Sequence, residues 1–111
     1  MTEATIEKAV CKYATERGWW PIKMGITYVK GFPDRMFLGP NGRVFFIEFK
    51  APKKLPTKLQ RYRLEQLKEM GFDVYVVDST YNGKQIVEEK SIKNQTAQLS
   101  DPSGFVDPPE S

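Results

Sequence analysis

The chain has 111 residues, of which 17 are Lys or Arg and 14 are Asp or Glu, with one cysteine and no histidine. This length allows one domain, and the lack of histidine excludes Cys/His zinc sites and every triad or dyad that uses histidine. No apolar stretch approaches the ~18 residues that span a membrane, and no signal peptide is visible. We therefore expect an intracellular, cytoplasmic protein whose chemistry depends on carboxylates, lysine, hydroxyls or a hard metal ion.

Apolar residues near the N-terminus recur at helical spacing and predict a helix over residues 3–17 that ends at Gly18. Aromatic and β-branched residues then predict a strand over 19–29, although Pro21 and Gly25 weaken it. Pro40-Asn41-Gly42 lies between two apolar runs and predicts a hairpin over residues 36–51.

A second helix is predicted over residues 57–70, and a buried strand over 72–78 follows it. We expect the inner stripe of this helix to contain Leu59, Tyr62, Arg63, Leu67 and Met70. Residues 81–84 predict a turn, and residues 84–89 fit either an edge strand or a short helix. The order α-β-β-β-α-β predicts an α/β fold, with a mixed sheet flanked by helices.

Charge and composition divide the chain near residue 90. Residues 1–90 hold 16 basic and 11 acidic side chains, whereas residues 91–111 hold one basic and three acidic ones. The second segment is polar and rich in Pro and Ser, which is typical of a loosely docked tail. We predict a domain over residues 1–90 and a C-terminal tail over residues 91–111.

The strand Val44–Lys50 carries two charged residues, Glu48 and Lys50, on one face of an otherwise apolar segment. Their burial requires compensation, either as an ion pair or through a cation that faces Glu48. If the hairpin turn has three residues, Asp34 lies directly across from Glu48 on the same face. Two converging carboxylates without histidine suit Mg²⁺ or Mn²⁺, beside which Lys50 could contact a phosphate.

The segments Gly31-Phe32-Pro33-Asp34 and Glu48-Phe49-Lys50, followed by Gln60, together resemble the G-x-P-D…E-x-K…Q signature of the VRR-NUC nucleases. This family belongs to the PD-(D/E)xK superfamily, whose fold is restriction-endonuclease-like. The resemblance extends from about residue 3 to residue 79. It is greatest to the stand-alone phage or bacterial type, which is similar to Holliday-junction resolvases.

The resemblance implies that Asp34, Glu48 and the backbone carbonyl of Phe49 bind one or two Mg²⁺ or Mn²⁺ ions. It also implies catalytic roles for Asp34, Glu48, Lys50 and Gln60. A first-helix glutamate would complete the metal site, and we prefer Glu7 to Glu3. The alternative for either glutamate is to complement the helix N-terminus. The alternative for Gln60 is a capping box with Thr57.

The family's activity implies a metal-dependent, structure-specific DNA endonuclease that hydrolyses phosphodiester bonds in branched DNA such as Holliday junctions. Symmetrical cutting of a four-way junction would require a homodimer, acting in the bacterial host cell if a phage encodes the chain. The alternative is a non-catalytic DNA-binding or partner-binding module on the same fold. The basic residues near Lys50 are expected to bind DNA phosphates, namely Lys53, Lys54, Lys58, Arg61 and Arg63. The alternative for these residues is a solvated helix face and a lysine-rich loop.

Overall fold

The computed structural model describes residues 1–25 and 29–100, with side chains as far as residue 92. The elements in chain order are α1 (Glu3–Glu16), β1 (Trp20–Lys23), β2 (Arg35–Leu38), β3 (Val44–Phe49), α2 (Lys58–Glu69), β4 (Asp73–Val77) and α3 (Thr80–Ser100). The sheet has the order β1-β2-β3-β4, in which β1, β2 and β3 are antiparallel and β3 and β4 are parallel. The predicted α/β order is confirmed, and a third helix follows it.

The β2–β3 hairpin has the predicted three-residue connection. Pro40–Gly42 forms a short 3-10 turn, in which Asn41 adopts a left-handed conformation with φ 61°. The amide of Gly39 donates to the carbonyl of Arg43 at 2.9 Å, and Arg35 lies opposite Ile47. Continued by one residue, this register brings the position of Asp34 opposite that of Glu48.

The main core lies on the face of the sheet that α1 and α3 cover. The rings of Phe37 and Phe45 stack there with centroids 4.7 Å apart. Helix α2 covers the other face, where Leu64 packs with Phe46 and Val74. The buried residues of the main core are Ile6, Val10, Ala14, Trp19, Phe37, Phe45, Ile47, Phe49, Val77 and Val87.

The turn predicted over residues 81–84 is wrong, because these residues belong to the first turns of α3. A Cβ added to Gly83 would lie 2.4 Å from a methyl group of Val10. Gly83 therefore allows α3 to approach α1 closely and is not required for a chain reversal. Of the two alternatives for residues 84–89, the structure has the helix.

The inner stripe predicted for α2 is largely wrong. Leu59, Tyr62 and Met70 are 41%, 58% and 72% exposed, whereas Leu64 is the buried residue of the helix. The helix contacts the sheet over Phe46 and Val74, and only a narrow stripe of its surface reaches them.

The predicted boundary at residue 90 falls within α3. Lys90 is buried and paired with Asp73, and the indole Nε1 of Trp19 donates to Ser91 Oγ at 3.1 Å. Residues 101–111 lie outside the described residues, so the proposed tail stays a prediction.

Strand β1 ends at Lys23, and residues 26–28 of its predicted extension lie outside the described residues. Within the described part of the chain, no helix has the length and apolar character needed to cross a membrane.

Candidate active site

The hairpin and strand β3 bring the two predicted carboxylates together at one end of the sheet. Asp34 immediately precedes β2, and its Oδ2 accepts a hydrogen bond of 2.8 Å from the backbone N–H of Phe49. This bond fixes the Asp34 side chain beside the end of β3, where Glu48 lies across from it. The three-residue turn thus produces the convergence expected from the sequence.

Glu48 is almost completely buried, with 2% of its surface exposed. Its Oε2 lies 3.2 Å from Nζ of Lys50, but its buried Oε1 has no hydrogen-bond partner among the described residues. Burial, followed by repulsion from Asp34, raises the pKa of Glu48 to about 7, although Lys50 opposes the shift. A buried acceptor without a partner costs ~1–3 kcal/mol, so the site is incomplete as an ion pair alone.

Asp34 is surrounded by other carboxylates, which affect its pKa. Burial is the largest cause that raises its pKa, and the Phe49 amide and Lys50 lower it. Glu7 and Glu3 on α1 each raise this pKa further, which places both glutamates within electrostatic reach of Asp34. Glu3 also raises the pKa of Glu48.

The two α1 glutamates have different surroundings. Glu7 Oε2 accepts a hydrogen bond of 2.6 Å from Nε of Arg35, whose NH1 also donates to the carbonyl of Pro21. Glu3 lies in the exposed first turn of the helix, directly after the N-cap Thr2. Arg35 thus pairs with Glu7, the glutamate that we preferred as a metal ligand from the sequence. The choice between Glu7 and Glu3 as a ligand stays a prediction.

The residues at this end of the sheet fit a small, hard cation. Within residues 1–25 and 29–92, no group of three or more His, Cys, Asp or Glu side chains is close enough together to hold a metal ion. Mg²⁺, however, is usually bound by one or two protein carboxylates and completes its shell with water and substrate phosphates. Asp34 and the unsatisfied Oε1 of Glu48 provide such a pair.

Comparison with known proteins identifies the family. No family model matches the chain. A solved structure described as a VRR_NUC domain superposes with a TM-score of 0.72 over 79% of this chain and 97% of that one, at 23% identity, and so has the same fold. Over 77 residues, the chain is 35% identical to "Putative nuclease p44" of Acyrthosiphon pisum secondary endosymbiont phage 1, covering 69% of this chain and 83% of that protein. The chain belongs to the VRR-NUC nucleases.

Gln60, to which the family resemblance assigns a catalytic role, forms the capping box that was the alternative to that role. Its Oε1 accepts a hydrogen bond of 2.8 Å from the Thr57 amide, and its own amide donates to Thr57 Oγ1 at 3.1 Å. These reciprocal bonds give hydrogen-bond acceptors to two backbone N–H groups at the start of α2. A direct role for Gln60 in the site stays a prediction.

Replacing Gln60 by alanine is expected to lower the free energy of unfolding by about 0.5–2 kcal/mol, because one half of the capping box is lost. Gln60→Glu should retain most of the stability, since glutamate forms the same box. Urea denaturation of both variants checks this, and an unchanged midpoint for Gln60→Ala would contradict it. If the stable Gln60→Glu variant lost cleavage, Gln60 would have a direct role in the active site as well as its role in the capping box.

The predicted DNA-binding residues of this VRR-NUC chain do not form a uniform set. Lys53, Lys54, Lys58 and Arg61 are exposed, as a phosphate-binding surface requires. Arg63 is half-buried, and its guanidinium donates to the Lys30 carbonyl and to Gln66 Oε1, both at 3.0 Å. These contacts within the protein explain why Arg63 is held in place, and its role in DNA binding stays a prediction.

Sequence reasoning missed two residues that position the site. Asp78 accepts a hydrogen bond from the Lys53 amide at 3.1 Å and so ties the loop after β3 to the end of β4. The only signal was an aspartate that directly follows a buried strand. The second residue is Arg35, which joins α1 to the hairpin through Glu7. No local signal marked that pair, because its members are 28 residues apart.

Proposed function

We propose that this VRR-NUC protein is a metal-dependent DNA endonuclease that hydrolyses phosphodiester bonds in branched DNA inside a bacterial host cell. The observation that carries the proposal is the buried, unsatisfied Oε1 of Glu48 beside Asp34 and Lys50. The ion pair with Lys50 uses only Oε2 of Glu48 and leaves Oε1 without a partner. A divalent cation beside Asp34 would use this oxygen as a ligand.

We assign a role to each residue of the site. Asp34 and Glu48 would hold one or two Mg²⁺ or Mn²⁺ ions, with the Phe49 carbonyl and Glu7 or Glu3 as further ligands. The bound ion would polarise the scissile phosphate and lower the pKa of a bound water. Lys50, whose ammonium lies beside the Glu48 carboxylate, would stabilise the negative charge that develops on the phosphate.

The exposed lysines after Lys50 would bind the DNA backbone. Lys53, Lys54 and Lys58 are exposed and close to the site in sequence. Contacts to phosphates carry no sequence information, so we expect the shape of the DNA to be recognised rather than its sequence. Products would have 5′-phosphate and 3′-hydroxyl ends. Symmetrical cutting of a four-way junction would need two copies of this one site, and therefore a homodimer.

The test is to incubate the purified protein with labelled four-way junction, flap and linear duplex of the same sequences. We expect cleavage with Mg²⁺ or Mn²⁺ and none with EDTA, with the branched substrates cut about tenfold or more faster than the duplex. Tight binding without cleavage under every metal would contradict the proposal. That result would favour the non-catalytic binding module.

A further inference from the structure

The loop that joins Lys50 to α2 exposes a large apolar residue within a basic surface. Leu55 is 79% exposed, the highest value of the exposed large hydrophobic residues in the described chain. Lys53, Lys54 and Lys58 surround it in sequence and are all exposed. An isolated exposed leucine is common on proteins, so its conformation and neighbours decide whether it has a role.

Leu55 has no task in starting the helix. Helix α2 has its N-cap at Thr57, and the apolar staple at such a start would pair residue 56 with residue 61. These positions are Pro56 and Arg61, so no staple forms and none involves Leu55. On α2 itself, Leu59 and Tyr62 are also exposed and lie three residues apart on one face.

Hydrogen bonds hold the backbone of the loop in place on both sides of Leu55. The Lys50 amide donates to the Val77 carbonyl at 2.9 Å, and the Lys54 amide donates to the Ala51 carbonyl at 3.0 Å. Lys53 is in the left-handed region, with φ 66°, which its bond to Asp78 helps to maintain. Beyond Leu55, the Thr57 amide is held by Gln60. The leucine is therefore presented to solvent by a fixed backbone.

The position of Leu55 limits what it can contact. It lies five residues after Lys50, so the two are at most about 17 Å apart along the chain, or about five base steps of DNA. The lysines around it attract a phosphate backbone, which a leucine cannot bind. Within a bound nucleic acid, the apolar surface available to this side chain is that of the bases.

We propose that Leu55 is an apolar wedge that packs against an unstacked base near the scissile phosphate, and that it gives this protein its preference for branched over continuous duplex DNA. The proposal rests on the nuclease function proposed above and names the feature of the substrate that the site prefers. In a continuous duplex every base is stacked, and inserting a side chain requires unstacking. At a branch point that cost is already reduced, so the leucine contact adds to affinity there.

The test compares Leu55→Ala, which lies before α2, with Met70→Ala, which removes a similarly exposed apolar side chain from the C-cap of α2. Both are made in full-length protein that also carries Asp34→Asn, and binding is measured in EDTA so that no DNA is cut. The two DNAs are a four-way junction with 2-aminopurine at the branch point and a continuous duplex of the same sequence.

We expect Leu55→Ala to weaken junction binding about tenfold and duplex binding less than twofold, while Met70→Ala changes neither. The 2-aminopurine fluorescence change that the parent protein produces should be lost in Leu55→Ala alone. The slope of log affinity against log salt should stay constant in Leu55→Ala, whereas Lys54→Ala should reduce it by about one on both DNAs.

Equal losses on both DNAs, or no loss on the junction, would overturn the wedge. A change in self-association of Leu55→Ala, measured by sedimentation, would overturn it as well and would assign the leucine to a contact between copies. The nuclease proposal fails separately: protein that cuts no DNA but prefers junctions through Leu55 leaves the wedge intact. Protein that cuts junctions equally well with and without Leu55 loses the wedge alone.

Discussion

Asp34→Asn is expected to abolish cleavage and at the same time to stabilise the metal-free protein. The amide oxygen of asparagine can still accept the hydrogen bond from Phe49, so the hairpin geometry is retained. The substitution removes the negative charge of Asp34. This charge repels Glu48, and Glu7 and Glu3 repel it. We expect a gain of about 1 kcal/mol in the free energy of unfolding, with cleavage reduced by at least about 10²–10³-fold.

Lys50→Ala should share the loss of activity but have the opposite effect on stability. The variant leaves the buried Glu48 carboxylate without the ammonium 3.2 Å away, and breaking a buried pair in this way is destabilising by up to about 3–5 kcal/mol. Single-turnover cleavage and urea denaturation measure the two effects. Glu16→Gln, which removes a carboxylate from the exposed end of α1, is the matched control and should change neither. An active Asp34→Asn protein would exclude this carboxylate from the chemistry.

The metal-free protein is expected to lose stability as the pH rises from 5 to 8. Burial and the neighbouring Asp34 raise the pKa of Glu48 to about 7 in the folded state, above the usual value of an unfolded glutamate, ~4.3. The folded state therefore holds this proton more tightly, so stability is greatest below the unfolded pKa and falls as the pH passes through about 7. The pKa of Asp34 is raised as well and acts in the same direction. With allowance for screening by water at the edge of the site, the loss is about 1–3 kcal/mol.

Mg²⁺ should reverse this loss, because a divalent ion binds the ionised carboxylates and not the protonated ones. Its stabilising effect is expected to be larger at pH 8 than at pH 6. Urea denaturation with and without Mg²⁺ at a series of pH values measures both trends. Glu48→Gln should give a flatter profile and a weaker response to Mg²⁺. An equally steep profile in that variant would assign the pH dependence to other groups.

The parts of the site that the sequence predicted are those that local rules determine. The Pro40–Gly42 turn and the alternation of side chains along β3 together set the register, and one residue of slip would have put Asp34 on the wrong face. The capping box at Thr57 and Gln60 was visible for the same reason, since it depends on a spacing of three residues.

The predictions that failed concern surfaces that meet only after folding. Gly83 follows an asparagine, a pair typical of turns, yet its lack of a side chain serves the contact with Val10 on a helix at the other end of the sequence. Leu59, Tyr62 and Met70 were assigned to the inner stripe of α2 from their spacing, although only one narrow stripe of the helix, around Leu64, reaches the sheet. The pairing of Arg35 with Glu7 joins separate elements, and no periodicity encodes it.

The hydrogen bond between Trp19 and Ser91 has a consequence for how far the folding unit extends. A shortened protein that stopped at residue 90, where composition alone changes, would leave a buried indole N–H without its acceptor. Such a group costs about 1–3 kcal/mol. The truncation would also end α3 at residue 90. Val87, a residue of the main core, would then lie within one turn of the new terminus. The segment that contributes to the stability of the domain therefore extends past residue 79, where the resemblance to the nuclease family ends, at least as far as Ser91.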